Sequence, residues 1–256
     1  MGRFLIAVLS MTLALAAPAC AQSPASSPAP NRFEGWTTAV IAADWRDGDG
    51  DPILAFDNAR RDLVRALQTA GLPRETMVDY SLNPHLTDPV SAQDVMDGVA
   101  AAAQRGQRGC LLYLTSHGSP EAVVFGPDAE LAPADMARLV RRWCGARPTV
   151  VIVSACYSGI FVNALAAPNR MILTAASRER TSFGCGAQET YPWFDGCVLE
   201  SLPSATDFLA LAASARACVV LREAEAGVEL SSQPQLFVGA EMQIRLPTLR
   251  FTRPTG

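Results

Sequence analysis

The sequence predicts an α/β domain built on a mostly parallel sheet with helices on both faces. Apolar runs of strand length alternate with helix-spaced segments from Trp36 to Val238, the order that produces such sheets. The predicted strands are apolar along their length, as strands covered on both sides must be. The chain has 256 residues, 49% hydrophobic and 18% charged, which is enough apolar material for a sizeable core.

Each element has a local reason. Trp36 to Ala43 reads as a buried strand, and Ala55 to Ala70 places Phe56, Leu63, Val64 and Leu67 at helical spacing before Gly71 ends the run. Met77 to Tyr80 is a short strand. Ser91 and Asp94, three apart, mark a helix start leading into Val95 and Val99. Cys110 to Thr115 is a strand, and Pro133 opens a helix through Leu139 to Trp143. Thr149 to Ser154 and Met171 to Ala175 are strands, with a short helix near Ile160 to Ala166 between them. Helices follow near Gly196 to Leu202 and from Asp207 to Glu225, and Gln235 to Val238 is the sixth and last strand.

The ends read differently. Residues 1–21 have the pattern of a signal peptide: Arg3, the apolar stretch Phe4 to Leu15, then Ala19-Cys20-Ala21. That stretch falls short of the ~20 residues of a membrane span. Export to the periplasm or the exterior is the expectation, with a lipid anchor on Cys20 as the alternative. Residues 22–34 read as a Pro/Ser/Ala-rich linker, 35–247 as the folded domain and 248–256 as a tail. A net charge of −4 offers no basic footprint for nucleic acid. After leader removal six cysteines remain: Cys110, Cys144, Cys156, Cys185, Cys197 and Cys218. In an oxidising compartment most should pair. Cys110 with Cys144, and Cys185 with Cys197, are both plausible pairs, and spacing does not decide between them and others.

Functional groups in open α/β sheets gather at the carboxyl ends of strands. Two such ends carry reactive side chains. One apolar strand runs into Ser116-His117-Gly118, the other into Ser154-Ala155-Cys156-Tyr157-Ser158-Gly159. A thiolate is a strong nucleophile toward an acyl carbon, and a strand-to-helix junction favours its formation through the helix N-terminus. Histidine is the side chain suited to protonating a departing amine near neutral pH, and His117 is one of only two in the chain. Gly118 leaves its N–H unobstructed, so that the N–H groups of Gly118 and Cys156 could form an oxyanion hole. Other features read as ordinary surface. Asp47-Gly48-Asp49-Gly50-Asp51 lacks the sixth-position glycine and twelfth-position glutamate of a calcium loop, and His85 lies alone between prolines.

These two segments resemble the catalytic segments of the legumain-like cysteine peptidases, family C13. Thr174-Ala175-Ala176-Ser177, Thr181-Ser182-Phe183-Gly184-Cys185, and Thr190-Tyr191 leading to Asp195 are similar to further segments of that family. Ser232-Gln233-Pro234-Gln235 with Phe237-Val238-Gly239 is similar to the end of its bacterial members. The resemblance implies a caspase-like fold, a six-stranded, mostly parallel sheet sandwiched between helices. It implies a Cys156–His117 dyad hydrolysing peptide bonds through a thioester acyl-enzyme, with peptide or protein as substrate and neither metal nor organic cofactor. Legumain selects Asn through a basic pair at its first helix, an acidic residue after the nucleophile and a later aspartate. Here Asp57 and Asn58 stand at the helix start, Tyr157 follows Cys156, and Asp195 matches the later aspartate. With Ser177, these form the expected substrate-binding set, and Asp57 with Asp195 suggests an acidic pocket for a basic or amide side chain. A transpeptidase would use the same acyl-enzyme, and an inert caspase-like binding module would keep the fold without the chemistry. A serine α/β-hydrolase is disfavoured because Gly-x-Ser-x-Gly is absent.

Overall fold

The computed structural model describes residues 1–2 and 31–252. The leader, Cys20 and most of the predicted linker lie outside the described residues. Among the described residues the strands are β1 (Trp36–Ala42), β2 (Met77–Ser81), β3 (Gly109–Thr115), β4 (Val123–Val124), β5 (Glu130–Leu131), β6 (Thr149–Ser154), β7 (Arg170–Thr174) and β8 (Gln235–Val238). The helices are α1 (Ala55–Thr69), α2 (Ala92–Arg105), α3 (Pro133–Cys144), α4 (Ile160–Leu165), α5 (Trp193–Ser201), α6 (Phe208–Glu225) and α7 (Ala240–Arg245). Six strands form one sheet in the order β2-β1-β3-β6-β7-β8, and β4 pairs with β5 in a separate hairpin. All pairings in the large sheet are parallel except β7 with β8.

Alternation along the strands builds two cores. On β3, Leu111 and Tyr113 face one way while Cys110, Leu112 and Leu114 face the other; on β6, Val150 and Ile152 oppose Val151 and Val153. The first face packs under α1, α5 and α6 through Leu63, Leu67, Phe194 and Phe208. The second packs under α2, α3 and α4 through Val95, Val99, Val140 and Phe161. Every residue of β1, β3, β6 and β7 is buried, as strands covered on both faces are.

Local signals set the boundaries. Ser91 and Asp94 cap α2 reciprocally, each side chain meeting the other's backbone N–H. Asp207 caps α6 by accepting from the N–H groups of Leu209 and Ala210, both at 3.0 Å. The packed unit is longer than the predicted 35–247. It begins at Asn31, and Phe33, predicted as linker, is fully buried. Phe251, predicted as tail, lies against Phe33 and Phe208 with ring centroids 5.8 and 4.9 Å away. Both are apolar side chains that continue the core beyond the last regular element.

The sulfur bridges are Cys110–Cys144 and Cys197–Cys218. The alternative of Cys185 with Cys197 is overturned. Cys197 faces inward from α5 toward α6 and meets Cys218 there, leaving Cys185 as a thiol. Among the described residues no helix is long and apolar enough to cross a membrane.

Candidate active site

The chain order reverses its direction across the sheet between β1 and β3, so the loops leaving those strands diverge and open a crevice at their carboxyl ends. β3 and β6 are register partners up to Thr115 and Ser154. His117 and Cys156 each lie two residues beyond that last pair, so they leave neighbouring strands at the same level. Parallel neighbours lie about 4.8 Å apart. The two segments then close on each other. A Cβ on Gly118 would sit 2.3 Å from the Cys156 carbonyl oxygen, so the close approach excludes any side chain there. Among the described residues, the N–H groups of Gly118 and Cys156 donate to no protein acceptor, which leaves both for a ligand oxygen.

His117 is held from three sides. Its Nε2 lies 2.8 Å from the Arg46 carbonyl oxygen. A carbonyl only accepts, so Nε2 carries the proton and Nδ1 is the nitrogen left for exchange. The fully buried Phe56 packs edge-on against the imidazole, with centroids 5.1 Å apart. Beneath, the hairpin of β4 and β5 anchors the segment. Val124 N–H donates to the His117 carbonyl at 3.0 Å, and Ser116 Oγ donates to the Val124 carbonyl at 2.7 Å.

Cys156 occupies a turn rather than the end of a helix. Residues 156–159 form that turn, and α4 starts only at Ile160 and runs six residues. The expected helix N-terminus is therefore not what surrounds the sulfur. Ser182 does so instead: its N–H donates to Sγ at 3.3 Å, and its carbonyl and hydroxyl oxygens lie 3.5 and 3.6 Å away. Tyr157 has φ 55°, a left-handed backbone rarely adopted by a bulky residue, and its N–H donates to the Arg180 carbonyl at 2.8 Å. Ser158 is fully buried and its Oγ accepts from Ala176 N–H at 3.1 Å. A Cβ on Gly159 would sit 2.4 Å from the Arg178 nitrogen, so the segment that follows β7 lies directly against the Cys156 turn.

Asp195, fully buried at the start of α5, ties β3 to β6. It accepts from Tyr113 Oη and Thr115 Oγ1 of β3, each at 2.5 Å, and from the Ser154 hydroxyl of β6. Burial pushes its carboxyl up to about 6 against the opposing pull of those hydroxyls. Burial also pushes the Tyr113 phenol well above its usual range, with the Asp195 charge adding to the effect.

A profile of the Peptidase C13 family matches residues 94–215, which include His117, Cys156 and Asp195. The matched segment, a little under half of the chain, is similar to the legumain-like C13 peptidases. The fold of the chain is similar to that of caspase-1 from Spodoptera frugiperda, with a TM-score of 0.59, 13% identity and coverage of 85% of this chain and 93% of that one. No curated protein matches it. The fold class expected from the sequence is met, and the family match and the caspase-like fold support the expected cysteine-type peptidase class.

The expected substrate set is placed unevenly. Asn58, Tyr157 and Ser177 are half-buried. Asn58 Nδ2 donates to the Thr190 carbonyl at 3.2 Å, and Ser177 borders a hollow of about 370 Å³ with Gly159, Arg178 and Gln235. Asp57 and Asp195 are both buried. Asp57 Oδ1 accepts from Arg60 Nε at 2.9 Å and Oδ2 accepts from Arg61, while the Asp195 oxygens accept from buried hydroxyls. Both carboxylates have partners within the protein. The Asp47 loop is a turn in which Asp47 Oδ1 accepts from the N–H groups of Asp49 and Asp51, as an ordinary surface turn would. Sequence reading missed the Arg46 carbonyl, Phe56 as a partner of His117, and Ser182 as the sulfur's neighbour.

Proposed function

We propose that the chain is an endopeptidase working through a Cys156–His117 dyad. The observation that carries this reading is the register: His117 and Cys156 stand two residues beyond the paired Thr115 and Ser154, on neighbouring strands. Cys156 Sγ attacks the peptide carbonyl, forming a C–S bond, and the carbonyl oxygen moves between the N–H groups of Gly118 and Cys156. The thiol proton reaches the departing amine through Nδ1 of His117, whose Nε2–H stays on the Arg46 carbonyl. The C–N bond breaks, leaving a thioester. Water then adds to the thioester, the acid leaves, and the thiol is restored. Asn58, Tyr157 and Ser177 are the proposed substrate contacts. Two disulfides support export to an oxidising compartment.

A peptide-library cleavage assay tests the reading. Cys156→Ala should reduce cleavage to background, and His117→Ala should lower kcat by about 10²–10⁴-fold. Cleavage by Cys156→Ala at the wild-type rate would end it.

A further inference from the structure

We propose that Asp44 is a positioning residue for the general acid, acting through the backbone of Arg46; this rests on the dyad reading above. The case begins at the end of β1. After Ala42 the strand leaves the sheet beside β3, and its path is pinned at once. Ala43 N–H donates to the Thr115 carbonyl at 2.9 Å, and Gly126 N–H donates to the Ala43 carbonyl at 2.8 Å. Asp44 comes next, with 3% of its surface exposed. A buried carboxylate is costly unless its oxygens are bonded, so the chain around it is forced to supply donors.

Three donors converge on one oxygen. Asp44 Oδ1 accepts from Trp45 N–H at 2.8 Å, from Arg46 N–H at 3.3 Å and from Arg46 Nε at 3.0 Å. The Arg46 guanidinium also lies over the Trp45 ring, 4.4 Å from its centroid, and Ile53 N–H donates to the Trp45 carbonyl at 2.8 Å. The peptide planes at Trp45 and Arg46 are thus fixed by contacts that do not involve the histidine. The carbonyl that results from that fixed geometry is the one that receives Nε2–H of His117.

The consequence is chemical. An imidazole free in solution exchanges between tautomers and rotates; this one is offered a single acceptor in a single place. With Phe56 against its ring, only the Nε2–H form satisfies the carbonyl, which leaves Nδ1 as the nitrogen open to proton exchange. Asp44 touches neither substrate nor sulfur. Its effect belongs in the turnover step and not in substrate affinity, because it sets where the proton sits.

The test uses the full chain carrying His85→Gln, which leaves His117 as the only imidazole. Long-range proton–nitrogen NMR of the ring at neutral pH reads the tautomer, and steady-state kinetics read kcat and KM separately. Asp44→Ala should replace the single Nε2–H pattern by a mixed one and lower kcat by about 10²-fold with KM little changed. Asp44→Asn, which keeps an acceptor oxygen for both N–H groups, should recover the tautomer and most of kcat. If Asp44→Ala does not fold, Asp44→Ser carries the test. Its shorter hydroxyl cannot serve all three donors, so a mixed tautomer and an intermediate kcat are expected. An unchanged tautomer, a kcat within about 3-fold of the parent, or a loss confined to KM would each overturn the proposal. The tautomer readout needs no turnover, so it stands even if Cys156→Ala shows the dyad reading to be wrong.

Discussion

A methyl group on Gly118 would stand 2.3 Å from the Cys156 carbonyl oxygen and 3.2 Å from the Ala155 side chain. The glycine is therefore required by the approach of two backbones and not by a left-handed φ. Gly118→Ala should push the β3 loop away from the Cys156 turn and displace one of the two proposed oxyanion donors. On the proposed mechanism, losing one such donor costs about 10²–10³-fold in kcat. Peptide cleavage measured beside the thermal midpoint checks this, and activity near the wild-type value would show that the two loops are not held as tightly as described. At this scale the sequence was legible where residues are chemically distinctive. His117, Gly118 and Cys156 stood out as reactive or permissive groups at strand ends. Asp44 and Ser182 did not, because their roles arise from backbone N–H and carbonyl groups that no side-chain pattern encodes. The partners of Asp57 and Asp195 were hidden for a related reason: a carboxylate in a sequence shows its charge but not the arginines or hydroxyls that hold it.

At the scale of elements, α5 meets β3 and β6 through Asp195, and this contact titrates. Its carboxyl is raised from 3.8 to about 6, chiefly by burial. The native state then binds a proton more tightly than the unfolded chain between those values. Stability from this group is present below the lower value, falls as pH rises through the window, and levels off above about 6. The loss across the window is on the order of 3 kcal/mol. Urea midpoints taken at steps from pH 4 to pH 8 should fall more steeply for wild type than for Asp195→Asn. Equal slopes would remove Asp195 as the source. The strands themselves were readable because burial on both faces leaves long apolar runs, and α2 because Ser91 and Asp94 form a reciprocal cap. The β4–β5 hairpin was not, since strands of two residues carry no period. Nor was α7, a six-residue helix that buries Met242 and leaves Ile244 largely exposed. Yet β4 supports the His117 loop, so one of the elements lost to brevity is one that shapes the site.

Across the whole molecule, the two disulfides sit on opposite faces of the sheet. Cys110–Cys144 joins the start of β3 to the end of α3, and both residues are fully buried in the α2–α3–α4 face. Cys197–Cys218 joins α5 to α6 on the other face, where Cys218 remains half-exposed beside Glu200. They close segments separated by 34 and 21 residues. On the chain-entropy account each contributes about 3–4 kcal/mol by restricting the unfolded chain. Their similar entropic worth but unequal access predicts an order of reduction. A reductant can reach the half-exposed sulfur of Cys218 in the folded protein, so Cys197–Cys218 should open first and lower the thermal midpoint while the site keeps its geometry. Reduction of Cys110–Cys144 requires β3 to separate from α3, and β3 carries His117; its loss should coincide with loss of activity and of global structure. Timed alkylation followed by peptide mass mapping, with cleavage activity measured on the same samples, reads both events. Cys110 and Cys144 labelled before Cys197 and Cys218, or activity falling with the first bridge, would show that the sheet's two faces are not independently secured.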